Sequence, residues 1–413
     1  MNFIKRFYCV FAVVFVSLFS LSLNAGALSD KQTSLEKFYS YEEKMLCISH
    51  RGDTVFYPEN SLEAVESALK KGADFVSVNL EKTSDGVFYL CESESLGNVC
   101  NATYERLSDA TADEADEFFL YDTFGQLTKH KMTSLSKLLK KTGSEDGLIF
   151  DIKSEYKDEV YDVLRENGAL SRVILRIEES AAKLSAWAEQ KDEKVYVIGK
   201  YTGNIIFSTI SQINSLTEAR MPAVQYESKN FFNVCFGEFF TNRYLTNKNT
   251  RAVTATYSPD LCGQRGDSAD AWNELISKGY SVIETNNIES FVAYRSEAER
   301  LEEEISLLLD RSSEAENEKY SLVSSDNLKK AETECRRLLS ASVFSLSQAQ
   351  KAYSQLNEAL KEMKISAGEV DTRGALNITA GKIIAAVLVG AALLSGQIYV
   401  YKMRKSNKEK KVK

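Results

Sequence analysis

The chain holds only two histidines, His50 and His130, and three prolines in 413 residues. Chemistry that needs a cluster of histidines is short of ligands from the start. So little proline excludes a collagen-like chain. Seven cysteines over this length exclude a disulfide-dense miniprotein. A surplus of basic charge is also missing. The formal net charge is −8 and the pI about 5.3, so the chain lacks the basic face of a nucleic-acid binder. No Gly-rich phosphate loop, zinc-finger spacing or nucleophile elbow occurs. What is present is ordinary globular composition, 44% hydrophobic and 27% charged, enough for one large domain and a smaller one.

Long apolar runs occur only at the two ends. Lys5 and Arg6 precede an apolar stretch from Phe7 to Leu23, and Ala25-Gly26-Ala27 follows it. This is the pattern of a secretory signal peptide over 1–27, with a retained anchor as the alternative. From Ile383 to Tyr401 nineteen residues carry no charge, a reach of roughly 28 Å as helix and enough to span a bilayer core. The tail KMRKSNKEKKVK, residues 402–413, is strongly basic and is expected on the cytoplasmic side. The expectation is an acidic extracellular region held on the cell membrane by one helix over 378–401. Six cysteines remain after Ala27. Cys91 with Cys100 and Cys235 with Cys262 are the local pairings, and buried thiols are an equal alternative.

Between residues 45 and 295, after a linker over 28–44, eight short apolar runs alternate with amphipathic stretches. The runs are Met45–Ser49, Phe75–Leu80, Leu148–Lys153, Val173–Ile177, Val195–Ile198, Ala223–Tyr226, Ala252–Thr256 and Ser281–Thr285. Their brevity and β-branched content suit strands buried on both faces. Eight β/α units in about 250 residues suggest an α/β TIM barrel with its site at the carboxyl ends of the strands. Residues 296–364 lack both proline and glycine, and apolar stripes such as Leu328, Ala331, Cys335 and Leu338 predict helices. Ser345 and Gln348 have capping-box spacing. A three-helix bundle or a bent coiled-coil stalk is expected there, with a linker over 365–377. Tyr320–Met363 loosely resembles the helical repeat called "found in various architectures", which suggests a surface partner for the stalk; a plain spacer is the alternative.

One segment is far more specific. It runs His50-Arg51-Gly52, Tyr57-Pro58-Glu59-Asn60-Ser61, Gly72-Ala73-Asp74 and Thr83-Ser84-Asp85-Gly86. This order and spacing resemble the glycerophosphodiester phosphodiesterase family. The resemblance implies a TIM barrel over 45–295, a divalent cation (Ca²⁺ or Mg²⁺), and hydrolysis of glycerophosphodiesters to an alcohol and glycerol phosphate. It also implies roles for individual residues. His50 matches the first catalytic histidine and Arg51 the phosphate-binding arginine, with Lys153 as a further phosphate contact. Glu59 and Asn60 match the loop that frames the site.

The chemistry-bearing positions depart from that pattern. Where the family has two metal-binding carboxylates, this chain has Ser77 and Asn79. The third carboxylate is the shorter Asp151, the second catalytic histidine is replaced by Cys91, and a family Thr-Asp reads Thr285-Asn286. Hard cations want anionic oxygens, and an unperturbed thiol does not cycle protons as imidazole does. The expected function is therefore an extracellular, membrane-anchored family relative with impaired catalysis. It would retain a phosphate-ester pocket or a surface-interaction role. The alternatives are a working phosphodiesterase with an altered metal site and a purely structural spacer. The substitute groups the sequence offers are Glu81 as a ligand, Glu92 or Glu94 as an acid, His130 as a shuttle read in a solvated loop, and Cys91 as a nucleophile.

Overall fold

The computed structural model describes residues 33–40, 44–92, 95–202, 223–229, 236–238, 240–241, 250–315 and 322–362. The expected signal segment, the membrane run and its tail, Glu94 and Cys235 lie outside these. Among the described residues no helix is long and apolar enough to cross a membrane.

Eight parallel strands close a barrel: β1 (Leu46–His50), β2 (Phe75–Lys82), β6 (Gly147–Ile152), β7 (Val173–Ile177), β8 (Tyr196–Thr202), β9 (Ala223–Glu227), β10 (Arg251–Ala255) and β11 (Tyr280–Thr285). β1 pairs with both β11 and β2, which seals the ring. Each of the eight expected runs overlaps one of these strands. Helices α2 (Leu62–Lys70), α4 (Leu135–Lys141), α5 (Lys157–Glu166), α6 (Ala181–Glu189) and α7 (Ala269–Ser277) connect them. Ser61, Ser134 and Ser268 cap α2, α4 and α7 by accepting a backbone N–H, so these helices start where the sequence supplies an N-cap.

Side chains alternate across each strand, so every second residue faces the lumen. The lower lumen is apolar, with Ile48, Phe75, Ile149, Ile174, Ile198, Ala223, Val253 and Val282 in one cluster. The stretch read as a linker over 28–44 instead carries a helix, α1 (Ser34–Ser40), whose Leu35 and Phe38 complete that cluster and plug the barrel floor. Arg251 donates to the carbonyls of Phe38 (2.7 Å) and Lys37 (3.1 Å), satisfying the end of α1. Gly147 makes this plug possible, because a Cβ there would lie 2.6 Å from Ser34 Cβ and 2.4 Å from Asp74 O.

The β2–β6 connection holds a small cap: β3 (Phe88–Leu90), which pairs antiparallel with β2, then the short helix α3 (Ala112–Ala115) and the hairpin β4 (Phe119–Tyr121)–β5 (Leu127–Lys131). Its core is Tyr89, Cys91, Leu96, Cys100, Leu107, Leu120 and Met132. Cys91 and Cys100 are both buried thiols in this cluster, which answers the open question of their pairing.

After β11, helix α8 (Ile288–Ala315) runs unbroken through residue 295, and α9 (Leu322–Leu339) and α10 (Leu346–Glu362) follow. Their buried faces join the barrel's outer core in one cluster. Asn273 of α7 ties them down, accepting from Tyr294 Oη and from the Ser347 N–H, both at 2.9 Å. The expected capping box is present: Ser345 N donates to Gln348 Oε1 at 2.8 Å, and Gln348 N to Ser345 Oγ at 3.3 Å.

Candidate functional site

Two residues beyond its apolar lumen position, nearly every strand places a polar side chain. Ile48 is followed by His50, Phe75 by Ser77, Ile149 by Asp151, Ile174 by Arg176, Ile198 by Lys200, Ala223 by Gln225 and Val282 by Glu284. Strand periodicity thus gathers a charged layer at the carboxyl end of the barrel, where this fold builds sites.

Glu284 and Arg176 are its centre, 0% and 3% exposed. Glu284 Oε1 accepts from Ser77 Oγ at 2.6 Å and lies 3.0 Å from His50 Nδ1. Arg176 donates from Nε to Asp151 Oδ1 at 2.6 Å, and a second prong meets Asp151 Oδ2. It also donates to Glu284 Oε2 at 2.6 Å, Glu284 Oε1 at 3.0 Å and Gln225 Oε1 at 2.6 Å. Gln225 in turn donates to Glu284 at 3.0 Å and to Glu227 at 2.8 Å. Burial disfavours the Arg176 charge, but Asp151 and Glu284 outweigh it and hold its pKa well above the ordinary value. Burial likewise pushes the Glu284 carboxyl up, and Arg176 and His50 more than reverse this, leaving it well below the usual carboxylate range. The Tyr257 ring stacks on His50 with centroids 3.5 Å apart, and burial followed by the nearby Glu284 raises its phenol.

The loop after β1 is shaped by backbone. Arg51 (φ 59°) and Asn60 (φ 55°) sit in the left-handed region, and a Cβ on Gly52 would lie 2.6 Å from Ala64. Arg51 N donates to Ser77 O, and Asn60 Oδ1 accepts from Asn79 N at 3.1 Å, which ties the loop after β1 to strand β2. The Arg51 fork is held by Glu59 at 3.0 Å and by Glu92, while its Nε is buried without a hydrogen-bond partner. Asn79 Oδ1 and Asn286 Oδ1 are also buried and unpartnered.

Several expected site residues are placed elsewhere. Cys91 is 0% exposed, packed in the cap's apolar cluster, and so cannot present its thiol as shuttle or nucleophile. His130 lies on β5 and not in a solvated loop; it packs edge-on against Tyr57 and pairs with Glu63 at 3.2 Å. Lys153 and Glu81 pair with each other at 2.8 Å. Thr285 Oγ1 and the Asn286 N–H both donate to Asp267, at 2.8 and 2.9 Å. Arg176, Gln225, Tyr257 and Glu284 were not singled out from sequence. The available signal was a lone charge inside an apolar strand run, as in VILRI and YSVIET.

Residues 50–217 match the glycerophosphoryl diester phosphodiesterase family. Glycerophosphodiester phosphodiesterase 1 of Rattus norvegicus is 30% identical over 105 residues, 20% of this chain and 32% of that protein. A glycerophosphodiester phosphodiesterase of Caldanaerobacter subterraneus subsp. tengcongensis is 28% identical over 113 residues, 27% of this chain and 46% of that protein. This chain therefore spans between about a third and a half of the length of these curated relatives. The crystal structure of a glycerophosphoryl diester phosphodiesterase from Parabacteroides distasonis superposes with a TM-score of 0.53 at 20% identity, covering 64% of this chain and 92% of that one; it speaks to fold alone.

Over residues 50–217 the barrel is similar to the glycerophosphodiester phosphodiesterase family. The family implies a divalent cation, and the donor set at the corresponding place does not fit one. Ser77 donates its hydroxyl to Glu284, Asn79 offers only a neutral oxygen, and Asp151 is gripped on both oxygens by Arg176. Among the described residues no group of three His, Cys, Asp or Glu side chains is spaced to hold a metal ion.

Proposed function

We propose that this chain is a membrane-anchored, extracellular glycerophosphodiester phosphodiesterase-like protein that has lost metal-dependent hydrolysis and keeps a phosphate-ester-binding mouth. The observation that carries this reading is the engagement of Asp151 by Arg176, because it removes the last family-type carboxylate from cation binding. The scaffold loop supports retained binding: Arg51 holds a fork near the mouth, with one buried N–H still unpartnered. The uncharged run over 383–401 and its basic tail support the anchor.

The test is release of glycerol phosphate from glycerophosphocholine by the full chain, with Mg²⁺, Ca²⁺ or EDTA. No release above buffer is expected in any of them. Glycerol phosphate itself should bind, and Arg51→Ala should weaken that binding about tenfold, as expected for one lost charge-assisted contact.

A second reading, an active phosphodiesterase with an altered site, is favoured by the His50–Glu284 pair. A buried carboxylate that fixes an imidazole is a general-base arrangement. Turnover abolished by His50→Ala would establish it.

A further inference from the structure

In a barrel whose relatives rely on a divalent cation, the most unusual feature is a buried arginine among the lumen carboxylates. Arg176 lies on β7, register-paired with Asp151 of β6, which is itself paired with Asn79 of β2. The guanidinium thus grips Asp151, one of the three positions that match the family's metal-ligand pattern, in the same register as a second, Asn79. Its five N–H donors are all used, on Asp151, Glu284 and Gln225. A guanidinium so saturated, with carboxylates on two sides, neutralises the same anionic oxygens a cation would. Displacing it would strand a buried positive charge.

We infer that Arg176 is a built-in replacement for the divalent cation, wedged between Asp151 and Glu284 so that the barrel neither needs nor admits a metal there. The inference rests on the donor set and is independent of the proposed loss of activity. Hydrolysis of a phosphodiester in EDTA would overturn that loss and leave Arg176 in its role.

Melting of the full chain, with calorimetric titration alongside, tests it using the metals alone. A site of about 0.1 mM affinity would raise Tm by roughly 5–10 °C at about 10 mM Ca²⁺ or Mg²⁺. The wild type should show no such shift, no loss in EDTA and no saturable heat. Arg176→Ala leaves the buried Glu284 and the partly buried Asp151 carboxylates without their shared counter-charge and should melt on the order of 10 °C lower in EDTA. It should regain several degrees with Ca²⁺. Arg176→Lys keeps the charge and should stay indifferent to cations. A wild-type Tm raised by either cation overturns the inference, and so does an Arg176→Ala variant that folds but is not rescued. Should Arg176→Ala fail to fold, the wild-type titration and the Arg176→Lys variant still decide: saturable binding in either overturns it, and its absence in both supports it.

Discussion

The two halves of the barrel lumen share one backbone geometry and have opposite chemistry. Below, Ile48, Phe75, Ile149, Ile174 and Val282 fill the space with branched and aromatic side chains, sealed by α1. Above, one step of two residues along the same strands, His50, Ser77, Asp151, Arg176 and Glu284 form a bonded polar layer. The lower half gains its stability from removing apolar area and tolerates small losses of volume. The upper half places charges that are buried, as Glu284 and Arg176 are, or partly buried, as Asp151 is, so each depends on its partner. Altering the upper layer should cost stability wherever the charges no longer balance.

The sharpest way to break this comparison is to remove one charge above. Glu284→Ala should cost about 3–5 kcal/mol, read from the urea midpoint, because Arg176 loses a buried counter-charge. Replacing Arg176, Asp151 and Glu284 together with apolar residues of similar volume should recover most of that loss.

Acid should divide the halves as well. Glu284 is held well below the usual carboxylate range, so its contribution is complete above the ordinary value near 4.3 and is lost as pH falls through the lower folded value. Melting of the wild type should therefore fall more steeply below about pH 4 than that of Glu284→Gln. Equal slopes would remove Glu284 from the account.

Ile149→Val in the lower half should cost only about 0.5–1.5 kcal/mol, with no change in the pH profile. At the rim, Lys153→Ala should alter stability by about 1 kcal/mol at most, since its bond to Glu81 is partly solvated.

The architecture was largely legible in the sequence. The eight short runs became the eight strands because both faces of a parallel strand are buried, which leaves an unbroken apolar signature. The blocks around His50, Tyr57–Ser61 and Asp85-Gly86 carried the family resemblance because turns such as Gly52 and Asn60 tolerate few substitutions. The depletion at Ser77, Asn79 and Cys91 was equally visible. The arginine–carboxylate cluster of the lumen was hidden. Arg176 and Glu284 are 108 residues apart and each sits in an apolar run, so nothing local marks them as partners. Only the ring closure between β11 and β1 brings Glu284 beside His50. The floor helix α1 and the strand placement of His130 also depend on distant contacts, with the lumen cluster and with Glu63.

The most direct measurement is a crystal of the full chain soaked in Mn²⁺ and examined for anomalous scattering in the upper lumen. The account predicts Arg176 bridging Asp151 and Glu284, with no peak within bonding distance of Asp151. A manganese ion on Asp151 and Asn79, with the arginine swung aside, would contradict it.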